Sequence, residues 1–194
     1  MAQRPIVVDP PSGLVYRPEL IAVDEEWALL GILEDLRFDE IRMRGQVARR
    51  TARHYGVGYD YEERAPRPGE PLPEWLEPLR RRAGELAGVP AEDLVEALLQ
   101  RYPPGATIGR HRDAPAFGRV VGLSMASSCR MRFQRGAGEA RQVAELVLEP
   151  RSGYLLSGPA RWAWQHSPPT RELRYSITFR TLRGRGESRS RDLD

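Results

Sequence analysis

Between Arg171 and Arg180 apolar and polar side chains alternate strictly. Leu173, Tyr175, Ile177 and Phe179 fall on one face of an extended segment, with Arg174, Ser176, Thr178 and Arg180 on the other, which predicts a strand. The period changes in the first third of the chain. Asp24, followed by Glu25 and Glu26, suits a helix start, and Trp27, Leu30, Leu33 and Leu36 then form an apolar stripe at helical spacing. A second helix is predicted from about Pro78 to Ala87, with Leu79, Ala83 and Leu86 inward and Gly88 placed to end it. After residue 94 short apolar runs are broken by Pro103-Pro104-Gly105, Gly136-Ala137-Gly138, Glu149-Pro150 and Ser167-Pro168-Pro169, the punctuation of a sandwich or barrel of short strands. The expected fold class is α+β, mainly β. The proline-rich residues 1–12 read as a loose lead-in, and the Gly/Ser/Arg-rich stretch 183–194 as a flexible tail.

The polar face of the Arg171–Arg180 strand carries chemistry. Two guanidinium groups with hydroxyls between them suit a dicarboxylate, because arginine holds a carboxylate through two parallel charge-assisted hydrogen bonds. Upstream, His111 and Asp113 stand two apart, so on an extended segment both side chains point the same way and reach one ion, with His166 supplied by a neighbouring strand. Two imidazoles and one carboxylate on one side of a metal leave positions open for a co-substrate and O₂, the arrangement of non-haem Fe(II) oxygenases. An exposed His-Arg-Asp turn and an unrelated second histidine are the bland alternative.

Gln100-Arg101-Tyr102-Pro103-Pro104-Gly105 leading to His111-Arg112-Asp113, the distant His166, and Arg174-Tyr175-Ser176-Ile177-Thr178-Phe179-Arg180 resemble, in that order, the AlkB-like Fe(II)/2-oxoglutarate dioxygenases over residues 94 to 182. The resemblance implies a double-stranded β-helix (jelly roll) with N-terminal helices packed on one sheet. It also implies iron held by His111, Asp113 and His166, and 2-oxoglutarate held at its distal carboxylate by Arg174 with Ser176 and Tyr102. Arg180 would then lie nearer the metal, beside the keto-acid end. Two departures stand out: the family's usual asparagine two before the tyrosine is Gln100 here, and Pro115 stands where the best-known repair member has a second acid. The activity implied is oxidative demethylation of alkylated nucleic-acid bases. The same chemistry on a tRNA modification, a protein or a small molecule, and a non-catalytic nucleic-acid-binding jelly roll, are the alternatives.

One domain is expected of 194 residues: helices and a substrate-recognition lid over 13–93, and the catalytic core over 94–182. The basic, aromatic stretch Gly45–Tyr61 supplies the lid materials: Arg49, Arg50 and Arg53 for phosphate, His54 and Tyr55 for stacking or edge contacts, Gly56 and Gly58 for mobility. An arginine-rich ribbon with Tyr55, Tyr59 and Tyr61 packed on one face is the competing reading. All 30 basic side chains are arginine and the net charge is +3, which fits nucleic acid without requiring it. A single cysteine, Cys129, excludes an intramolecular disulfide and suits a strand residue in a reducing compartment, so the cytoplasm is expected. No apolar run approaches membrane-spanning length, and a monomer with no membrane association is expected. Trp162 and Trp164, just before His166, suit either the wall of the site or the core.

Overall fold

A computed structural model of the chain describes residues 6–43, 46–60 and 65–184. The strands are β1 (Ile6–Val7), β2 (Leu14–Arg17), β3 (Asp39–Met43), β4 (Gln46–Asp60), β5 (Ala65–Pro68), β6 (Leu94–Tyr102), β7 (Phe117–Met125), β8 (Cys129–Arg135), β9 (Gln142–Leu148), β10 (Gly153–Leu156), β11 (Gln165–Ser167) and β12 (Arg174–Leu182). The helices are α1 (Val23–Asp35), α2 (Glu77–Ala87) and α3 (Gly158–Trp162). The larger sheet has the order β2-β10-β7-β12-β6-β4-β3, with β5 on β4, and the smaller one β1-β9-β8-β11. Apart from the parallel β1–β9 pair, neighbours in both sheets are antiparallel.

Strand alternation divides the apolar side chains between two cores. Val121, Leu123, Ile177 and Phe179 face Leu29 and Leu33 of α1 and Leu79 and Ala83 of α2. Val120, Tyr154 and Leu156, on the opposite face, meet Met131, Phe133, Ala144 and Leu148 of the smaller sheet. The result is helices on one sheet and a second sheet behind it, the expected jelly-roll arrangement. Of the two tryptophans, Trp164 packs in the inter-sheet core, while Trp162 lies under the guanidinium groups of Arg161 and Arg183.

Four expectations change. The cap of α1 is Ala22, whose N–H donates to the Glu25 carboxylate at 2.9 Å, so Asp24 sits inside the first turn. The buried face of α1 is Glu26, Leu29 and Leu33, and Trp27 is 70 % exposed. Glu26 turns inward because it accepts the backbone N–H of Ala126 at 2.9 Å and pairs with Arg151 at 3.3 Å, partners a hundred residues or more away. The lead-in is anchored from Ile6 onward, where Val8 N–H donates to Val143 O; residues 1–5, like the tail from 185 onward, lie outside the described residues. The 45–61 stretch, of which Gly45 and Tyr61 are also outside them, takes the ribbon form, the second of its two readings. Its β4 is paired with β6 from Thr51 to Gly56, Tyr55 is 7 % exposed in the helix-side core, and Gly56 is a close-approach glycine. With φ of 78° it exchanges hydrogen bonds with Glu70 and Gly69, and a β-carbon there would run into Val95 O.

Candidate metal centre and co-substrate cavity

Two histidines from distant parts of the chain meet because their backbones pair. His111 N–H donates to His166 O at 3.1 Å and His166 N–H to His111 O at 2.9 Å, an isolated bridge beside β11, where His166 stands opposite Phe133 of β8. The imidazole centroids are 4.4 Å apart. With Asp113, each offers one ligand atom, all within 4.8 Å of one another. His111 Nδ1 lies 2.9 Å from Gly109 O; a carbonyl only accepts, so Nδ1 carries the proton and Nε2 presents its lone pair.

The Asp113 carboxylate is split. Oδ1 accepts from Arg180 Nε at 3.0 Å and Nη2 at 2.5 Å, whereas Oδ2 is buried with no hydrogen-bond partner, 3.6 Å from His166 Nε2. An orphaned buried oxygen is costly unless a cation completes it, so this atom, beside two imidazoles, fits a first-row divalent metal. Burial by itself would raise the Asp113 pKa, but the Arg180 charge, aided by the histidines, holds the carboxyl well below its ordinary range. Burial lowers the His166 pKa to about 4 and lowers that of His111 as well. At neutral pH the set is therefore one carboxylate and two neutral imidazoles, ready to ligate without first releasing protons.

The eight residues expected to hold metal and co-substrate, Gln100, Tyr102, His111, Asp113, His166, Arg174, Ser176 and Arg180, all line one cavity of about 380 Å³, counting its open mouth. Strands β6 and β12 deliver five of them, since Arg174 stands opposite Tyr102 and Ser176 opposite Gln100 in their antiparallel register. Tyr102 donates its hydroxyl to Gln100 Oε1 at 2.8 Å. Arg174 is 1 % exposed, stacks 5.2 Å from the Tyr102 ring centroid and donates through Nε to Ser124 Oγ at 2.9 Å. Among the described residues no carboxylate pairs with it, so a buried guanidinium is left facing the cavity, the setting for a ligand carboxylate.

Arg180 also has a partner that the sequence did not suggest. Beyond Asp113 it donates to Glu96 Oε2 at 2.6 Å, and Glu96 Oε1 lies 3.4 Å from His54 Nδ1. The anion that a second inward arginine calls for is thus supplied largely by the protein. Glu96 escaped the sequence reading, although an acid inside the apolar run Leu94–Leu99 was its signal. Tyr154 and Met131, which also line the cavity, escaped it too.

The substrate candidates Arg49, Arg53, His54 and Tyr55 all stand on β4, each with contacts inside the protein. Arg49 donates to Pro104 O at 3.1 Å and Gly105 O at 3.4 Å. Arg53 pairs with Glu70 at 2.5 Å, its guanidinium 5.3 Å from the Tyr55 centroid. His54 is half exposed beside Glu96. Tyr55, enclosed in the core, has no face free for a base.

A family model described as the 2OG-Fe(II) oxygenase superfamily matches residues 34–180. An "Alkylated DNA repair protein ALKBH8 homolog" of Arabidopsis thaliana is 29 % identical over 83 % of this chain and 52 % of its own length. A "tRNA (carboxymethyluridine(34)-5-O)-methyltransferase alkbh8" of Xenopus tropicalis is 26 % identical over 84 % of this chain and 26 % of its own. The chain thus spans about half the length, or less, of these curated relatives. Two solved structures share the fold. "The structure of OsALKBH1" has a TM-score of 0.62 at 15 % identity, covering 93 % of this chain and 99 % of that one. An oxidoreductase of the 2OG-Fe(II) oxygenase family from Burkholderia pseudomallei has a TM-score of 0.62 at 16 % identity, covering 96 % and 99 %. With the matched segment taking in the histidine–aspartate–histidine set and both cavity strands, the chain belongs to the 2OG-Fe(II) oxygenase superfamily.

Proposed function

We propose that this protein is an Fe(II)/2-oxoglutarate-dependent dioxygenase that oxidatively demethylates alkylated bases in nucleic acid, with release of succinate, CO₂ and formaldehyde. The observation that carries the reading is the unpartnered Asp113 Oδ2 between two neutral imidazoles, in the cavity into which the carboxylate-free Arg174 also opens. When bound, iron with 2-oxoglutarate and O₂ supplies an oxidant that inserts oxygen into a C–H bond as the keto acid is decarboxylated. The chain's own part is to hold, orient and shield. His111, Asp113 and His166 hold the ion, and Arg180, braced by Glu96, keeps Asp113 turned toward it. Arg174, Tyr102, Ser176 and Gln100 receive the co-acid, their donors preorganised by strand register. None of these steps needs a protein acid or base. A hydroxylated N-methyl group is a hemiaminal, which expels formaldehyde and leaves the base demethylated.

For the substrate, support comes from the basic character of the chain, with a pI of about 9.3, and from Arg49, Arg53 and His54 standing on one strand, His54 next to the arginine–glutamate pair. The relatives' names, a DNA-repair homologue and a tRNA methyltransferase, point to nucleic acid. A tRNA target is the second reading, favoured by Pro115 in place of a second acid beside the metal aspartate. The same reading takes the protein as a monomer, and its one free, buried cysteine is in keeping with a reducing, cytoplasmic compartment. The deciding experiment incubates enzyme, Fe(II) and 2-oxoglutarate with methylated DNA, methylated RNA and tRNA and follows methyl loss by mass spectrometry. Methyl loss from a nucleic acid supports the reading, and succinate formed with every nucleic acid left intact moves the target to a protein or small molecule.

A further inference from the structure

The outward side chains of β8 and β11 are all polar. Arg130, Arg132 and Gln134 alternate with the buried Cys129, Met131 and Phe133 along β8, and Gln165 and Ser167 flank the buried His166 on β11. Arg110, one residue before His111, is exposed and donates to Gln134 Oε1, so its side chain lies across the outward face of β11. The two backbones that turn metal ligands inward therefore turn a basic, hydrogen-bonding track outward. Three arginines on it meet one carboxylate: Arg130 and Arg132 share Glu145, at 3.0 and 3.2 Å, and the partner of Arg110 is a neutral amide. Exposed pairs of this kind contribute little to stability, so the sheet does not depend on them. On β4, by contrast, Arg53 is taken up by Glu70, and Arg49 by the carbonyls of Pro104 and Gly105. A protein partner selects apolar and aromatic anchors, which the outward faces of β8 and β11 lack. A phosphodiester strand selects repeated arginine forks, and Arg130 and Arg132 stand about 7 Å apart along β8.

We propose that the outward face of β8 and β11, with Arg110, Arg130 and Arg132 as its cations, is a docking track for the phosphodiester backbone of nucleic acid. This rests on the nucleic-acid reading above and adds the face from which the substrate is held. Strand β11 is the edge of the smaller sheet, with the His111 bridge beside it. A strand lying on the track thus runs one residue away from both ligating histidines, and a single base turned over that edge is directed toward the metal cavity.

The test follows binding of a fluorescein-labelled single-stranded oligonucleotide by anisotropy over a series of salt concentrations, with the full chain loaded with Mn(II) and 2-oxoglutarate. Arg110→Gln and Arg132→Gln should each weaken binding about fivefold at low salt and lower the slope of log affinity against log salt by about 0.7, as for one lost phosphate contact. Glu145→Gln removes the competing carboxylate and should tighten binding about threefold, a direction that mere loss of structure does not give. Arg81→Gln, at an exposed arginine of α2, controls for net charge and should leave affinity within about twofold. An acidic peptide of equal charge should bind more weakly than the oligonucleotide; equal binding gives the face to an acidic protein and overturns the proposal. Unchanged oligonucleotide binding in Arg132→Gln and Glu145→Gln, at unchanged melting temperature, overturns the track and leaves the proposed activity standing. An unaltered protein that binds 2-oxoglutarate but no oligonucleotide removes the track and the nucleic-acid substrate together. Arg132→Gln and Glu145→Gln decide the point where Arg110→Gln, beside a metal ligand, disturbs metal binding.

Discussion

At Asp113 the two carboxylate oxygens live in different surroundings: one is gripped by Arg180, the other is left for a cation. That division makes Glu96 important, although it touches no ligand. Glu96 is 1 % exposed and shares Arg180 with Asp113, so Glu96→Gln halves the charge that balances a buried guanidinium. The expected cost is about 3 kcal/mol of stability by denaturant unfolding, with iron affinity reduced about tenfold through the loosened aspartate. Normal iron binding in that variant would show that Arg180 needs no brace. Protonation gives a second residue-level prediction, for the metal-free protein. His166 titrates near 4 in the folded chain against 6.5 unfolded, so from pH 6.5 down to about 4 the unfolded state takes up a proton that the folded state refuses. Stability present above that window is lost progressively as pH falls through it. The depressed Asp113 pKa adds a further loss below the ordinary carboxylate range. Thermal melts between pH 7 and 4 should fall steeply, and His166→Gln should flatten the slope over that interval.

At the scale of elements, β12 was readable because a strand maps sequence onto space with period two: once Tyr175, Ile177 and Phe179 are inward on one side, Arg174, Ser176 and Arg180 share the other. The metal set was readable for the same reason over the two-residue step from His111 to Asp113. What escaped was whatever depends on distant pairing. Glu96 meets Arg180 across 84 positions, and although an acid inside an apolar run marks it as unusual, nothing local names its partner. In α1, Leu29, Leu30, Ile32 and Leu33 are apolar on several sides, so the helical phase was set by Glu26 finding Ala126 and Arg151. The tyrosines, glycines and arginines of β4 suit a loop or a strand equally, and pairing with β6 decided between them. These corrections are measurable. Trp27→Ser should change stability by less than about 0.5 kcal/mol, whereas a true core tryptophan would cost several. Gly56→Ala, at φ of 78° and against Val95 O, should cost about 1–3 kcal/mol and lower the melting temperature, where a mobile-lid glycine would tolerate the methyl group.

The whole molecule gives each of its layers a different task. Helices α1 and α2 cover one face of the larger sheet and stiffen it, and the inter-sheet space behind β12, β6 and β7 is where buried charge is concentrated. No helix among the described residues is long and apolar enough to cross a membrane. A jelly roll kept only to bind nucleic acid has no use for a buried, carboxylate-free arginine beside a half-satisfied aspartate, because each lowers stability unless a ligand completes it. The most direct measurement of the account is optical. Fe(II) and 2-oxoglutarate added together to the protein without oxygen should give a visible charge-transfer band that needs both components and is lost in His111→Ala. A folded, unaltered protein that takes up no iron and shows no band would contradict the account and leave a binding module in its place.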